Sequence, residues 1–585
     1  MTIVTRSRVV AAATAMPLIA CFVGILIATW ERWGHHAVDC GGAVDRAARL
    51  AQGAVLYRDV LSPYGPIPPY VIAGLFRVFG IHLTVVYVTG IGLLAAGSAC
   101  LWYVTRRCLS AAECAVGLVG FWVLLGFQPG LFNWILPNTF ASVFGAFFTL
   151  LVVTLLVADL ERPSPRKLIV ASLVAALAGL SKVEFGLAAV GVTLTHVVLL
   201  PSPTRTRRWA IVLSLVPGLL VTVTVAAVLS ALVPWQEIVF DNLYRVRSFA
   251  RTVEVYKEKN LPPLWPMLRA ALWHYPGVFA LQTLIVASGL AIVSRGRWYV
   301  RVAGVVVALA ALVIPWRLGL TAPPVRDFST EPMAQFGWAF PVWLVVGIGA
   351  FVQYRRRPSP ASGSLVLVAI TSLLLAMRWD FHVAWAGFYG PFSPFLVLGM
   401  TRFVPAFVLP RTAPLAAALV VATAVVDAAG HNWKGHDVPS SMTLAYRSKT
   451  MALDYPRGRL HTNVWQGTPL KATIDYVRSH TRPGDYVAVI PEERFINFFS
   501  ERPHPTRDPG VGPGWLATRD DEERFLREIH EKNTQLIVIS TRVYPEFRAG
   551  KFDFYNRRVK AELDRSYVEV WRRGRYRVFA RRQPG

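Results

Sequence analysis

Apolar residues in this chain fall into long unbroken runs, and between the runs stand short tracts rich in Lys and Arg. A helix needs about 20 mostly apolar residues to cross the hydrocarbon core of a bilayer, since each residue advances it by only about 1.5 Å. Runs of that kind give about thirteen spans, at 9–30, 82–104, 111–127, 138–158, 167–181, 185–200, 210–233, 276–294, 301–316, 336–354, 362–378, 388–405 and 412–430. The tracts Arg6/Arg8, Arg106/Arg107, Arg162 to Lys167, Arg205 to Arg208, Arg295 to Arg301, Arg355 to Arg357 and Arg402 to Arg411 recur after every second run, as the positive-inside rule requires of cytoplasmic loops. The N-terminus is therefore expected in the cytoplasm, and an odd number of spans carries the C-terminus to the other face. The first run is longer than the apolar core of a signal peptide and no small-residue cleavage site closes it, so it reads as a retained helix.

Two stretches break the pattern. In the first outer loop, residues 31–81, Val44 to Leu50 mixes apolar and charged positions as a helix lying at the membrane interface does, and a second short amphipathic run ends at Gly80. Gly65-Pro66-Ile67-Pro68-Pro69 interrupts the chain between them. Two interfacial helices flanking a polar turn predict a shelf. After Gly430 the long runs stop and charge becomes dense. Thr468 to His480 reads as a helix, Pro483-Gly484-Asp485 as a turn and Tyr486 to Ile490 as a buried strand. A second helix opens on Asp520 to Glu523, Gln535 to Ser540 is a second strand, and a third helix near Tyr555 to Arg565 leads to strands Val568 to Arg572 and Tyr576 to Ala580. The fold class is thus a polytopic α-helical membrane protein, residues 1–430, with a soluble α/β domain outside the membrane at 431–585.

Composition agrees and removes other classes. Of 585 residues 54% are hydrophobic and 16% charged, with a mean hydropathy of +0.42, which no ordinary soluble enzyme shows. The net charge of +26 lies largely in the loop tracts, so it signals topology and not nucleic acid. Of the five cysteines only Cys40 is expected outside, and no intrachain disulfide follows. No phosphate-binding loop and no G-x-G-x-x-G follows a strand, which argues against a nucleotide-driven pump. His35-His36 and the group His431, His436 and Asp437 lack ligand spacing for zinc.

Candidate chemistry gathers on the outer side. Asp39 and Asp45 stand just beyond the first run, and carboxylates held at a bilayer rim are costly and usually functional. Lys182 and Glu184 fall at the outer end of the fifth and sixth spans in apolar surroundings, where the Lys serves either as a point charge for a lipid phosphate or as a snorkelling partner of the carboxylate. Arg326-Asp327 and Arg378-Trp379-Asp380-Phe381-His382 lie on further outer loops, as site residues or as structural ion pairs. Tyr57-Arg58-Asp59 reads as part of the site, or as a turn in which Arg58 bonds loop carbonyls. Trp235 to Glu237, Asp241 to Arg251 and Trp273 to Tyr275 either shape an acceptor groove or form an interfacial aromatic belt.

The first span, the outer-loop acid, Gly53-x-x-Leu56-Tyr57-Arg58-Asp59 and Pro63-Tyr64-Gly65-Pro66 together resemble the GT-C superfamily, specifically bacterial relatives of dolichyl-phosphate-mannose protein mannosyltransferases and lipid A aminoarabinose transferases. Further matches are Phe132-Asn133 with Pro137, Lys182-Val183-Glu184 and the terminal soluble domain. The resemblance implies an enzyme that takes a sugar from a polyprenyl-phosphate carrier on the non-cytoplasmic face of the inner membrane and passes it, in most such enzymes with inversion, to an acceptor hydroxyl on a lipid, glycan or protein. It implies the first-loop aspartate as base, Asp39 with Asp45 as the alternative. Lys182, Arg58 and Arg326 would meet the donor phosphate, and Tyr57, Asp59, Tyr64, Asn133, Glu184, Arg378 and His382 would bind substrate or frame the loops. Relatives often pair Asp with Glu in the first loop and carry another acid in the second; here Cys40 follows Asp39, and Gln128 to Pro137 holds only Asn133, so either Glu184 substitutes or no second carboxylate is used. No cofactor is called for, and a divalent metal stays an open alternative. Two other classes remain beside the transferase: a transporter or flippase of lipid-linked saccharide, which would place ionisable groups near the midplane, and a non-catalytic scaffold of an envelope-assembly complex. Sugar, acceptor and oligomeric state are not legible.

Overall fold

The computed structural model describes residues 3–35, 40–130, 133–200, 206–244, 275–295, 297–317, 339–376, 446–508, 518–542 and 556–582, with a few single positions between them. The membrane region begins with α1 (Ile3–Thr29). Two short helices of the first loop follow, α2 (Cys40–Ala51) and α3 (Ile67–Phe79), the latter with Pro at its start and Gly80 closing it at φ 87°. They are the expected amphipathic pair. Next come α4 (Leu83–Thr105), α5 (Ala111–Phe121), which runs on into a π-helical turn at Trp122–Gly126, and α6 (Phe140–Glu161). The chain continues through α7 (Pro165–Ser181), α8 (Val183–Leu199), α9 (Arg207–Ser230) and the short α10 (Trp235–Val239). Then follow α11 (Tyr275–Arg295), α12 (Trp298–Arg317), α13 (Ala339–Arg356) and α14 (Pro360–Ala376).

Three of these helices, Leu83–Thr105, Phe140–Glu161 and Arg208–Ser230, are long and apolar enough to cross a membrane. The remaining predicted runs through residue 378 also fall on helices; those at 388–405 and 412–430 lie almost wholly outside the described residues. Burial separates the centre from the rim: 72% of the apolar window of α6 is covered, against 11% for α9. Accordingly α6 packs on α4, α7, α8 and α14.

Beyond residue 446 the chain forms a hairpin and a small mixed sheet. The hairpin is β1 (Met451–Tyr455) with β2 (Gly458–Thr462), followed by α15 (Val464–His480). The sheet has the order β3-β4-β6-β5, from β3 (Val487–Ile490), β4 (Leu536–Ser540), β5 (Tyr567–Arg573) and β6 (Tyr576–Arg581). The β3–β4 pair is parallel and the other two pairs antiparallel, with Gly574 at φ 55° in the turn between β5 and β6. Helices α16 (Phe495–Ser500), α17 (Arg519–Glu531) and α18 (Arg557–Ser566) complete it. The acidic start of α17 does more than suit the dipole: Thr518 and Asp521 form a capping box, a feature worth about 1 kcal/mol. The hairpin and α16 are absent from the sequence reading.

The loops expected on the outer side meet this domain. Leu83 N–H donates to the Arg457 carbonyl at 2.8 Å, and His461 N–H to the Glu31 carbonyl at 2.8 Å. Lys449 Nζ donates to three carbonyls, Arg32 at 2.6 Å, Gly34 at 2.8 Å and Pro129 at 2.9 Å, so one ammonium ties the first and second loops to the chain entering the hairpin.

Candidate active site

Lys182 is a single extended residue, φ −159° and ψ 128°, between the end of α7 and the start of α8. Its charge suits the negative end of α7, and Glu184, in the first turn of α8, suits the positive end of that helix. The two side chains pair at 3.1 Å. Lys182 Nζ also donates to Ser142 Oγ on α6 at 3.3 Å and lies 5.0 Å from the Tyr64 ring centroid, within cation–π range. Its exposure is only 8%. A compact ammonium held this way meets an arriving anion as a point charge.

The first loop is pressed onto this break. Gly65 N–H donates to the Ser181 carbonyl at 3.1 Å, and a Cβ at Gly65 would stand 1.9 Å from the Leu180 carbonyl oxygen, so no other residue fits. The Tyr64 carbonyl accepts from the Tyr57 hydroxyl at 2.8 Å and from Ser62 Oγ at 3.1 Å. Tyr57 itself sits at φ 68°, a costly conformation for an aromatic residue, and burial raises its hydroxyl pKa. Strain of this kind persists where neighbours over-determine it.

Arg58 forks onto the Asp59 carboxylate at 2.8 and 3.0 Å, and that bond holds the Asp59 carboxyl below its ordinary range. The loop carbonyls are bonded by other arginines: Arg46 to Leu61 O at 3.2 Å, and Arg49 to Asp59 O at 2.8 Å and Thr506 O at 2.9 Å. The turn reading of Tyr57-Arg58-Asp59 is thus right in kind and wrong in its agent. Asn133 is fully buried and spends its amide on its own loop, accepting from Ile135 N and Leu136 N and donating to the Gly130 and Leu136 carbonyls.

Asp45 lies on α2 and is 6% exposed. Burial raises its carboxyl pKa, opposed by Arg49, Arg494, Arg457 and Arg46. Two of those arginines come from the soluble domain. Arg494 is 2% exposed, donates to the Asp508 carbonyl at 2.6 Å, and is pushed by burial down to about 9, still charged at neutral pH. The approach is close: a Cβ at Gly41 would stand 2.6 Å from Phe495 N. These arginines escaped the sequence reading, because only the long-range fold brings residues near 457 and 494 to residue 45. Glu237 and Asp241, considered there for an acceptor groove, instead pair with Arg507 of the soluble domain.

Tyr57, Tyr64, Lys182 and Glu184 are therefore brought together, whereas Arg58, Asp59, Asn133 and Asp45 have other partners or surroundings. Asp39, Arg326, Arg378 and His382 lie outside the described residues. Among the described residues no group of three or more His, Cys, Asp or Glu stands ready to hold a metal.

Residues 63–235 match the family described as dolichyl-phosphate-mannose-protein mannosyltransferase. No curated protein matches the chain. Among solved structures, ArnT from Cupriavidus metallidurans bound to undecaprenyl phosphate is 14% identical, with 97% of this chain and 98% of that one covered at a TM-score of 0.46. The Archaeoglobus fulgidus oligosaccharyltransferase in complex with Zn and sulfate is 12% identical, covering 90% and 68% at 0.45. The arabinofuranosyltransferase AftD from Mycobacteria is 13% identical, covering 98% and 41% at 0.39. The family match contains Tyr64, Gly65, Ser142, Lys182 and Glu184. From the Tyr64-Gly65 turn to the start of α10, the chain is therefore similar in sequence to the dolichyl-phosphate-mannose-protein mannosyltransferase family.

Proposed function

We propose that this protein moves a sugar from a polyprenyl-phosphate-linked donor to an acceptor hydroxyl on the non-cytoplasmic face of the inner membrane. The observation that carries the reading is Lys182: a nearly buried ammonium at a helix break, roofed by Tyr64 of the first loop, inside the stretch that matches the mannosyltransferase family. As the acceptor oxygen bonds to the sugar's anomeric carbon, the bond from that carbon to the phosphate breaks and its electron pair leaves with the lipid phosphate. Lys182 is placed to stabilise that charge, in exchange for its bond to Glu184. Arg58 of the first loop and Arg326, expected on a further outer loop, are the other candidate cations. A first-loop carboxylate takes the hydroxyl proton as the new bond forms. Asp39 directly follows the first span and is the proposed base. Asp45 sits among arginines at the contact with the soluble domain, which favours a role as their counter-charge. The acceptor is a lipid, glycan or protein, approached beside the soluble domain.

The test is binding of undecaprenyl phosphate to the full-length protein, followed by native mass spectrometry in detergent. Lys182→Met should weaken binding by about 10- to 100-fold, the scale of a charge-assisted phosphate contact, and Lys182→Arg should retain most of it. Equal binding by wild type and Lys182→Met would remove the phosphate site and leave transport or scaffolding to be preferred.

A further inference from the structure

Arg507 lies in the segment between α16 and α17 and is 6% exposed, yet it reaches out of its own domain in two directions. Nη1 donates to Glu237 Oε2 at 2.8 Å and Nη2 to Asp241 Oδ2, both on the segment that follows α9; Asp241 is fully buried. The Arg507 carbonyl accepts from Leu61 N–H of the first loop at 2.8 Å. Its own N–H is fixed by Glu528 Oε2 at 3.0 Å, which anchors it to α17. One residue thus joins the soluble domain, residues 235–244 and the first loop. A planar guanidinium holds two carboxylates through a rigid fork of donors, whereas an ammonium is a point charge with rotatable donors on a flexible stem.

What Arg507 holds bears on Tyr57. Ile238 packs with Leu56, Tyr57 and Val60 beside Leu229 of α9 and Val233 just beyond it, and its carbonyl accepts from the Asn242 amide at 2.9 Å. The Tyr57 hydroxyl donates to the Tyr64 carbonyl, and the Tyr64 ring roofs Lys182. The chain of contacts is continuous from the sheet domain to the ammonium.

We propose that Arg507 is a positioning residue for the donor-phosphate site, locking residues 235–244 and Leu61 around the Tyr57 turn so that Tyr64 is held over Lys182. The proposal rests on the reading of Lys182 as the phosphate contact and gives the soluble domain a part in donor recognition. It acts through binding of the lipid phosphate and touches no reacting atom.

Two measurements on the full-length protein in nanodiscs test it. Hydrogen–deuterium exchange of the peptide covering residues 55–66 should quicken at least about 10-fold in Arg507→Met. Arg507→Lys should restore it only in part. Undecaprenyl phosphate titration should show a dissociation constant raised about 10-fold in Arg507→Met, with the Arg507→Met/Lys182→Met double variant no weaker than Lys182→Met alone, because the two act on one contact. Should Arg507→Met fail to fold, Glu237→Gln, which alters the more exposed partner, should move both readouts in the same direction by about threefold. Unchanged exchange at 55–66, or losses at Arg507 and Lys182 that simply add, would overturn the proposal. Unchanged binding in Lys182→Met alone overturns the phosphate reading and this role together, and is told apart from the other failures because Lys182→Met is measured by itself.

Discussion

Replacing Gly65 with Ala is the sharpest single-atom perturbation the site offers. The added methyl would stand 1.9 Å from the Leu180 carbonyl oxygen. An ordinary carbon–oxygen contact is about 3.4 Å, so loop and helix end must separate by about 1.5 Å. Both are backbone, and neither can yield by a rotamer change. The Gly65–Ser181 hydrogen bond of 3.1 Å stretches with the shift, at a cost of about 1 kcal/mol, and overpacking adds about 1–3 kcal/mol. Tyr64 then moves off Lys182, and misplacement by about 1 Å can cost about 100-fold in rate. The assay is undecaprenyl phosphate binding beside thermal unfolding in the same detergent, and turnover once a donor is in hand. Gly74→Ala on α3 is the control, since a Cβ there meets nothing within 4 Å; it should leave binding unchanged and gain about 0.5–1 kcal/mol. Wild-type binding and melting in Gly65→Ala would refute the view that this loop is seated on the α7–α8 break.

Asn133→Ala removes four hydrogen bonds made by a fully buried side chain and should cost about 2–4 kcal/mol, read as a lower melting temperature, while Asn133→Asp should be nearly as harmful because it loses both donors. Asp45→Asn leaves Arg49, Arg457 and Arg494 one counter-charge short, and should lower stability by about 2–4 kcal/mol while retaining residual turnover. Lost turnover with intact melting would make Asp45 the base instead. Burial pushes Lys449 down to about 7, below the value of about 10.4 for an unfolded chain. Between those pH values the unfolded state binds more protons, so this group makes stability rise with pH across the window and adds nothing to the slope below it. Melting at pH 7 and pH 9 should therefore diverge in wild type and converge in Lys449→Met.

Much of this arrangement can be read from the chain because membranes simplify the problem. Long apolar runs permit few structures other than helices, and the basic tracts predict their orientation, so Tyr64 and Lys182 are both expected at one rim. The amphipathic first-loop helices follow from a period of about 3.6, and the central sheet strands from short unbroken apolar runs that are buried throughout. The β1–β2 hairpin does not, because Tyr455-Pro456-Arg457-Gly458 offers a turn between very short strands whose stability comes from Leu83, Tyr87 and Glu31, far off in the chain. The same limit hid Arg457, Arg494 and Arg507. A basic residue in a charged domain carries no mark of its partner, and the carboxylates these arginines face lie hundreds of positions away. Asn133 was noticed for its place in the second loop, but whether it serves substrate or loop is decided by four backbone groups that only the folded turn presents.

Transfer of sugar from a lipid-linked donor, with a first-loop aspartate as base, is tested most directly by mass spectrometry of polyprenyl-phosphate sugars in cells making wild-type protein, Asp39→Asn or Lys182→Met at equal abundance. One polyprenyl-phosphate sugar should accumulate in both variants and not in wild type, and its mass would identify the donor. Identical lipid pools and surface glycans in all three strains would contradict the account.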